Sequence, residues 1–148
     1  MNVEEVIKTD KKIPLKSRTI IHFMLVDHKI NEAISSTLKP YGVSLQQFNV
    51  LRILRGRNGK PANLSTLNER MVTKMSNTTR LVDKLLLKGF VNRKTCPSNR
   101  RKIEITITPE GETELAEMDK AMRNVEDKIL QNLSEKELEQ LNELFDKF

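Results

Sequence analysis

The chain has 148 residues, 37% of them hydrophobic and 31% charged, with a formal net charge of +6. That length suits one ordinary core, and no apolar run approaches the roughly 20 residues that cross a bilayer, so a small intracellular domain without a membrane span is expected. A single cysteine, Cys96, excludes an intramolecular disulfide scaffold and a cysteine-based tetrahedral metal site.

Charge is segregated. Residues 60–102 carry 11 Lys and Arg against 2 Asp and Glu, whereas residues 103–148 carry 5 against 13. Like charges concentrated in the middle third repel one another, and a polyanion such as duplex DNA relieves that repulsion.

Residues 1–14 are polar and lysine-bearing and read as a flexible or partner-ordered arm. From Leu15 to Lys39 the apolar residues Ile20, Phe23, Met24, Ile30, Ile34 and Leu38 recur at helical spacing, and Pro40 with Gly42 stops the helix. Its TIIHFMLV portion is apolar nearly all round, so it should lie between other elements or against another subunit. Ser44 and Gln47 form a capping-box pattern for a second helix, with Phe48, Leu51 and Leu54 on one face and Asn58 and Gly59 at its end. Two short helices follow, Asn63 to Met71 and Lys74 to Lys88, tight enough for a helix-turn-helix. Gly89 closes the second.

Phe90 to Thr95 and Lys102 to Thr108 read as two strands. Ile103, Ile105 and Ile107 alternate with Glu104 and Thr106, and Pro97, Ser98 and Asn99 supply the turn. Thr108 caps a helix with Pro109 at its first position, running to about Asn132. Within it Leu115, Met118, Met122, Val125 and Ile129 follow a heptad spacing suited to lengthwise packing on another helix. Ser134 and Glu137 open a last helix whose stripe of Leu138, Leu141, Phe145 and Phe148 should dock on the first helix or on a second subunit. The fold class is mainly α with a small β-hairpin: a winged helix-turn-helix between long terminal helices.

A helix that enters the major groove needs one face for its own domain and another that donates hydrogen bonds. In Lys74 to Lys88 the inward stripe is Met75, Thr78, Leu81, Val82 and Leu85, and Thr73, Lys74, Ser76, Asn77, Arg80 and Lys84 lie outward. Asn77 and Arg80 suit direct base readout, and Lys74 and Lys84 suit phosphates. Arg100 and Arg101, beside Lys102, project from the hairpin, where an arginine suits a narrow minor groove.

The segments SLQQFNVLRIL, MSNTTRLVDKLLLKGFVNRK and NRRKIEITITPEG resemble those of the MarR (multiple-antibiotic-resistance regulator) family. The resemblance runs from the first helix to the last. It implies that Arg101 is the wing arginine of the minor groove, with Asn99 where the family usually carries Asp. It also implies a homodimer formed by the first and last two helices, repression at near-palindromic double-stranded operators, and release by a small organic ligand. The chain then divides into an arm and dimerisation helix (1–39), a winged unit (44–108) and C-terminal dimerisation helices (109–148), in one cytoplasmic domain. The alternative function is a winged-helix adaptor that binds an acidic partner protein.

An enzyme finds no support in the sequence, which lacks a phosphate loop, a nucleophile elbow and an HExxH motif. His22 and His28, six apart, do not form a metal pair. Cys96, read at the base of the wing, has no assigned redox role. Phe23, Met24, His28 and Phe48 are the candidate lining of an effector pocket.

Overall fold

A computed structural model describes residues 1–72, 77–97 and 99–148, without the side chains of Arg100 and Arg101. Its elements in chain order are α1 (Val3–Val6), α2 (Leu15–Leu38), a 3-10 turn (Lys39–Tyr41), α3 (Leu45–Arg55), α4 (Leu64–Arg70), α5 (Thr78–Leu87), β1 (Val91–Cys96), β2 (Asn99–Ile107), α6 (Pro109–Leu130) and α7 (Glu135–Phe145).

Local chemistry sets most of these boundaries. At α3 the Gln47 N–H donates to Ser44 Oγ at 3.2 Å, and the Ser44 N–H donates to Gln47 Oε1 at 2.9 Å. This reciprocal pair satisfies two amides that the helix start would otherwise orphan. Asn63 Oδ1 accepts from the Thr66 N–H at the start of α4, Thr108 Oγ1 from the Gly111 N–H at α6, and Ser134 Oγ from the Glu137 N–H at α7. Gly89, at φ +74°, lets the chain turn from α5 into β1 in the left-handed region. Helix α3 ends at Arg55 with Gly56 as its cap, earlier than Asn58 and Gly59 suggested. Those two residues, both at positive φ, shape the loop beyond it.

The core gathers Phe48, Leu51 and Leu54 of α3, Leu67 of α4, Val82 and Leu85 of α5, Ile105 of β2, and Leu115 and Met118 of α6. Each is buried because its helix or strand period brings it round to the same side. Truncating a side chain such as Phe48 to Ala should cost about 3–5 kcal/mol through lost transfer energy and the cavity left behind.

Two expectations change. The arm is not featureless: Asn2 Oδ1 accepts from the Glu4 N–H, α1 forms, Val3 is fully buried, and Arg18 of α2 forks onto Glu4 at 2.8 and 3.1 Å. Four helical residues are too few to show a periodicity. The first part of the α6 stripe is also absorbed within the chain, since Leu115, Met118 and Met122 join the core, Val125 packs against it and α6 packs against both α2 and α3. For these residues the heptad spacing reflects packing within the chain.

Candidate nucleic-acid interface

Helix α4 ends at Arg70, and Met71 turns extended (φ −76°, ψ 138°), which breaks the axis and redirects the chain toward α5. The two helices are tied by Thr78 Oγ1, which donates to Asn68 Oδ1. On α5 Thr78, Leu81, Val82 and Leu85 are buried, while Asn77, Arg80 and Lys84 are exposed. The sequence division of this helix thus holds for every described position. Thr73, Lys74, Met75 and Ser76 lie outside the described residues.

One boundary is corrected. Helix α5 begins at Thr78, with Asn77 as its N-cap (φ −118°, ψ 30°), so Asn77 is not inside a helix that started at Lys74. Asparagine resists helix interiors because its amide competes for nearby backbone groups. Here Asn77 makes no side-chain cap bond, so its amide is not engaged by its own helix terminus.

The hairpin pairs Val91 with Ile107, Arg93 with Ile105 and Thr95 with Ile103, then shifts, so that Cys96 stands opposite Asn99. Strand β2 accordingly starts at Asn99, three residues earlier than expected, so the segment 99–101 belongs to the strand. Alternation of apolar residues marks only the half of a strand that faces a core, and residues 99–102 are all polar. The side chains of Arg100 and Arg101 lie outside the described residues. Asn99 is exposed, and Cys96 is half-buried at the far end of β1, not at the wing's base.

The base of the wing is pinned in three ways. Ala62 and Ile105 exchange backbone hydrogen bonds of 2.9 and 2.8 Å, a bridge that no alternation in the 60–63 loop announced. Thr108 Oγ1 donates to the Gly89 carbonyl at 2.7 Å. Arg93 of β1 donates to Asp83 of α5 at 2.8 Å. That last pair was missed, although Asp83 is one of only two acidic residues between 60 and 102 and so stood out among cations.

The proposed effector residues are not brought together. Phe48 is in the core, Phe23 packs on the rings of Phe145 and Phe148 with centroids 5.9 Å away in each case, and Met24 and His28 are exposed. A groove of about 560 Å³ lies instead between the end of α2 and the start of α3. Asn31, Ser35, Lys39, Ser44, Gln46 and Lys84 are among its lining residues. Among the described residues no helix is long and apolar enough to cross a membrane.

Residues 43–103 match the model of the MarR family. No curated protein matches the chain. Among solved structures, wild-type MarR from E. coli in its apo form is 24% identical, covering 93% of this chain and 98% of its own, with a TM-score of 0.70. A cysteine mutant of the E. coli protein complexed with operator DNA is 22% identical, covering 90% and 93%, with a TM-score of 0.76. An organohalide-sensing transcriptional regulator in its 2,4-dichlorophenol-bound form is 17% identical, covering 92% and 80%, with a TM-score of 0.83. These likenesses establish a shared fold along nearly the whole chain.

Proposed function

We propose that this chain, whose residues 43–103 carry the MarR-family region, is a homodimeric cytoplasmic regulator of transcription that reads near-palindromic duplex DNA and represses until a small organic ligand binds. The observation that carries the reading is the division of α5. The helix is tied to α4 through buried Thr78 and to the wing through Asp83, and its exposed face presents Arg80 and Lys84 without apolar interruption between them. A helix fixed by its neighbours can hold side chains against base edges at little further ordering cost. Arg80, in the first turn, is assigned to base readout and Lys84 to a phosphate, and Asn77, Thr73, Lys74 and Ser76 are assigned to further DNA contacts. Arg101 is assigned to the minor groove and Arg100 to the adjoining backbone.

The ligand's place is proposed at the groove between α2 and α3, because Lys84 lines it. A bound anion there would draw on the same cation that the DNA uses, which couples the two equilibria. Lys39 and Lys84 suit a carboxylate or phenolate.

Selection of bound sequences from a random duplex library tests the reading. A near-palindrome is expected, with half-sites about 10 base pairs apart, one helical turn. Indifference to sequence, together with capture of an acidic protein when duplex is absent, would instead establish the adaptor.

A further inference from the structure

Arg93 stands opposite Ile105 in the hairpin, so its side chain leaves β1 on the face of Ile105, which is fully buried, and not on the open face. From there its guanidinium donates to Asp83 Oδ1 at 2.8 Å. Asp83 follows Arg80 by three residues and therefore shares its side of α5. The guanidinium thus lies in the notch where the recognition helix meets the wing. It is not sealed there, for the two side chains keep 35% and 49% of their exposure.

The reading just proposed lays α5 in a major groove and the wing in the adjoining minor groove. What separates those grooves on any duplex is one sugar-phosphate strand, so a pair of elements that straddles it must face a phosphate at their junction. Arg93 occupies that junction with five N–H donors in a planar fork, one of them given to Asp83. A carboxylate on a face that meets a polyanion is otherwise unfavourable, since like charges across an interface repel. Its place is explained if it aims a cation.

We propose that Arg93 binds a DNA backbone phosphate at the junction of recognition helix and wing, and that Asp83 is the positioning residue that holds its guanidinium there. The assignment rests on the DNA-binding reading and adds a contact between the two elements that reading uses. It makes opposite predictions from simple charge counting at Asp83.

The test measures affinity of the intact chain for the selected duplex and for a random duplex at several salt concentrations. Arg93→Gln should weaken both by a similar factor of about 10 and lower the salt slope by about 0.9 per protomer, the signature of one lost phosphate contact. Arg93→Lys should keep the slope and recover only part of the affinity, since an ammonium lacks the fork. Asp83→Asn removes a negative charge from the DNA side, which by Coulomb's law alone would tighten binding. The positioning role instead demands weakening by about threefold that vanishes when Arg93 is already Gln. Tightening in Asp83→Asn, or wild-type affinity and slope in Arg93→Gln, overturns the assignment. Thermal melting checks the fold of each variant, and Arg93→Lys decides the matter by its affinity if the glutamine variant does not fold. A wild-type chain that binds no duplex would overturn the DNA-binding reading itself, whereas wild-type binding with indifferent Arg93 variants overturns this inference alone.

Discussion

Arg80 and Lys84 sit one turn apart on α5, yet their losses should differ in kind. An arginine that reads a guanine edge contributes only where that base is present. Arg80→Ala should therefore cost about 1–3 kcal/mol on the selected duplex and relax preference at one position per half-site, while Lys84→Ala should weaken every duplex alike. Competition titrations with single-base variants of the site distinguish the two, and equal losses on all duplexes for both variants would reject the assignment. Gly111 poses a second residue-scale question. A Cβ there would lie 2.2 Å from the Phe90 carbonyl oxygen and 3.0 Å from Ile107 Cγ1, so α6 approaches the root of the wing as closely as only glycine permits. Helix propensity alone would make Gly111→Ala stabilising by up to about 1 kcal/mol. The clash is with backbone, which cannot rotate away, and forced displacement of this kind costs about 1–3 kcal/mol. The second effect should win, and a lowered melting temperature checks the sign.

At the scale of elements, α1 is held by a contact that acid should undo. The Arg18 fork, with help from the backbone around α1, keeps the Glu4 carboxyl below the usual carboxylate value. A carboxyl depressed in the folded state stabilises above its unfolded pKa and ceases to do so as pH falls through the folded one. Docking of α1 should thus be intact at neutral pH and weaken as pH drops below about 4. Hydrogen exchange at residues 3–9 should rise over that range and should already be raised at neutral pH in Glu4→Gln. The wing makes a separate demand, because Arg101→Ala should cost roughly 1–3 kcal/mol of DNA affinity and Arg101→Lys should recover only part of it. Unchanged affinity for Arg101→Ala at every salt concentration would leave recognition to α5 alone. These elements also show what the sequence could reveal. Helices α3 and α6 and the Ile103–Ile107 half of the hairpin were legible because a buried face imposes a period on apolar residues, and capping side chains mark where that period starts. The start of α5, the early part of β2 and all of α1 were not, since a short or polar element meets the core at too few points to leave a period. The Ala62–Ile105 bridge is backbone pairing and has no side-chain signature at all. Outward residues of α5 could be read by elimination once the inward stripe was known, but the Asp83–Arg93 contact required the third dimension.

Over the whole molecule, charge and apolar exposure occupy different places. The basic middle of the chain forms the winged unit, while the acidic residues collect on α6 and α7. A duplex therefore attracts the molecule by one part and is repelled by the other, which orients the encounter. On the terminal helices, large apolar side chains face outward: Leu15 at 79%, Met24 at 65% and Phe148 at 94% exposure, with Ile20, Leu144 and Phe145 also uncovered. Because Leu115, Met118 and Met122 of α6 are spent on its own core, the proposed dimer would draw chiefly on α2 and α7. Phe23 of α2 already gathers Phe145 and Phe148 into one aromatic cluster, and its outer side is open. Contiguous apolar surface of this sort marks a site of association in a soluble protein. Phe145→Glu should leave the core and winged unit folded, since Phe145 belongs to neither, yet place a charge in the proposed seam. Two half-sites bound by linked subunits gain an effective concentration that separate subunits lack, so the variant should lose affinity for the full near-palindrome by about 100-fold while a single half-site binds as before. Sedimentation and titration on full and half sites make the check. A monomeric variant that still bound the full site with wild-type affinity would separate DNA recognition from dimerisation and overturn the role assigned to α2 and α7.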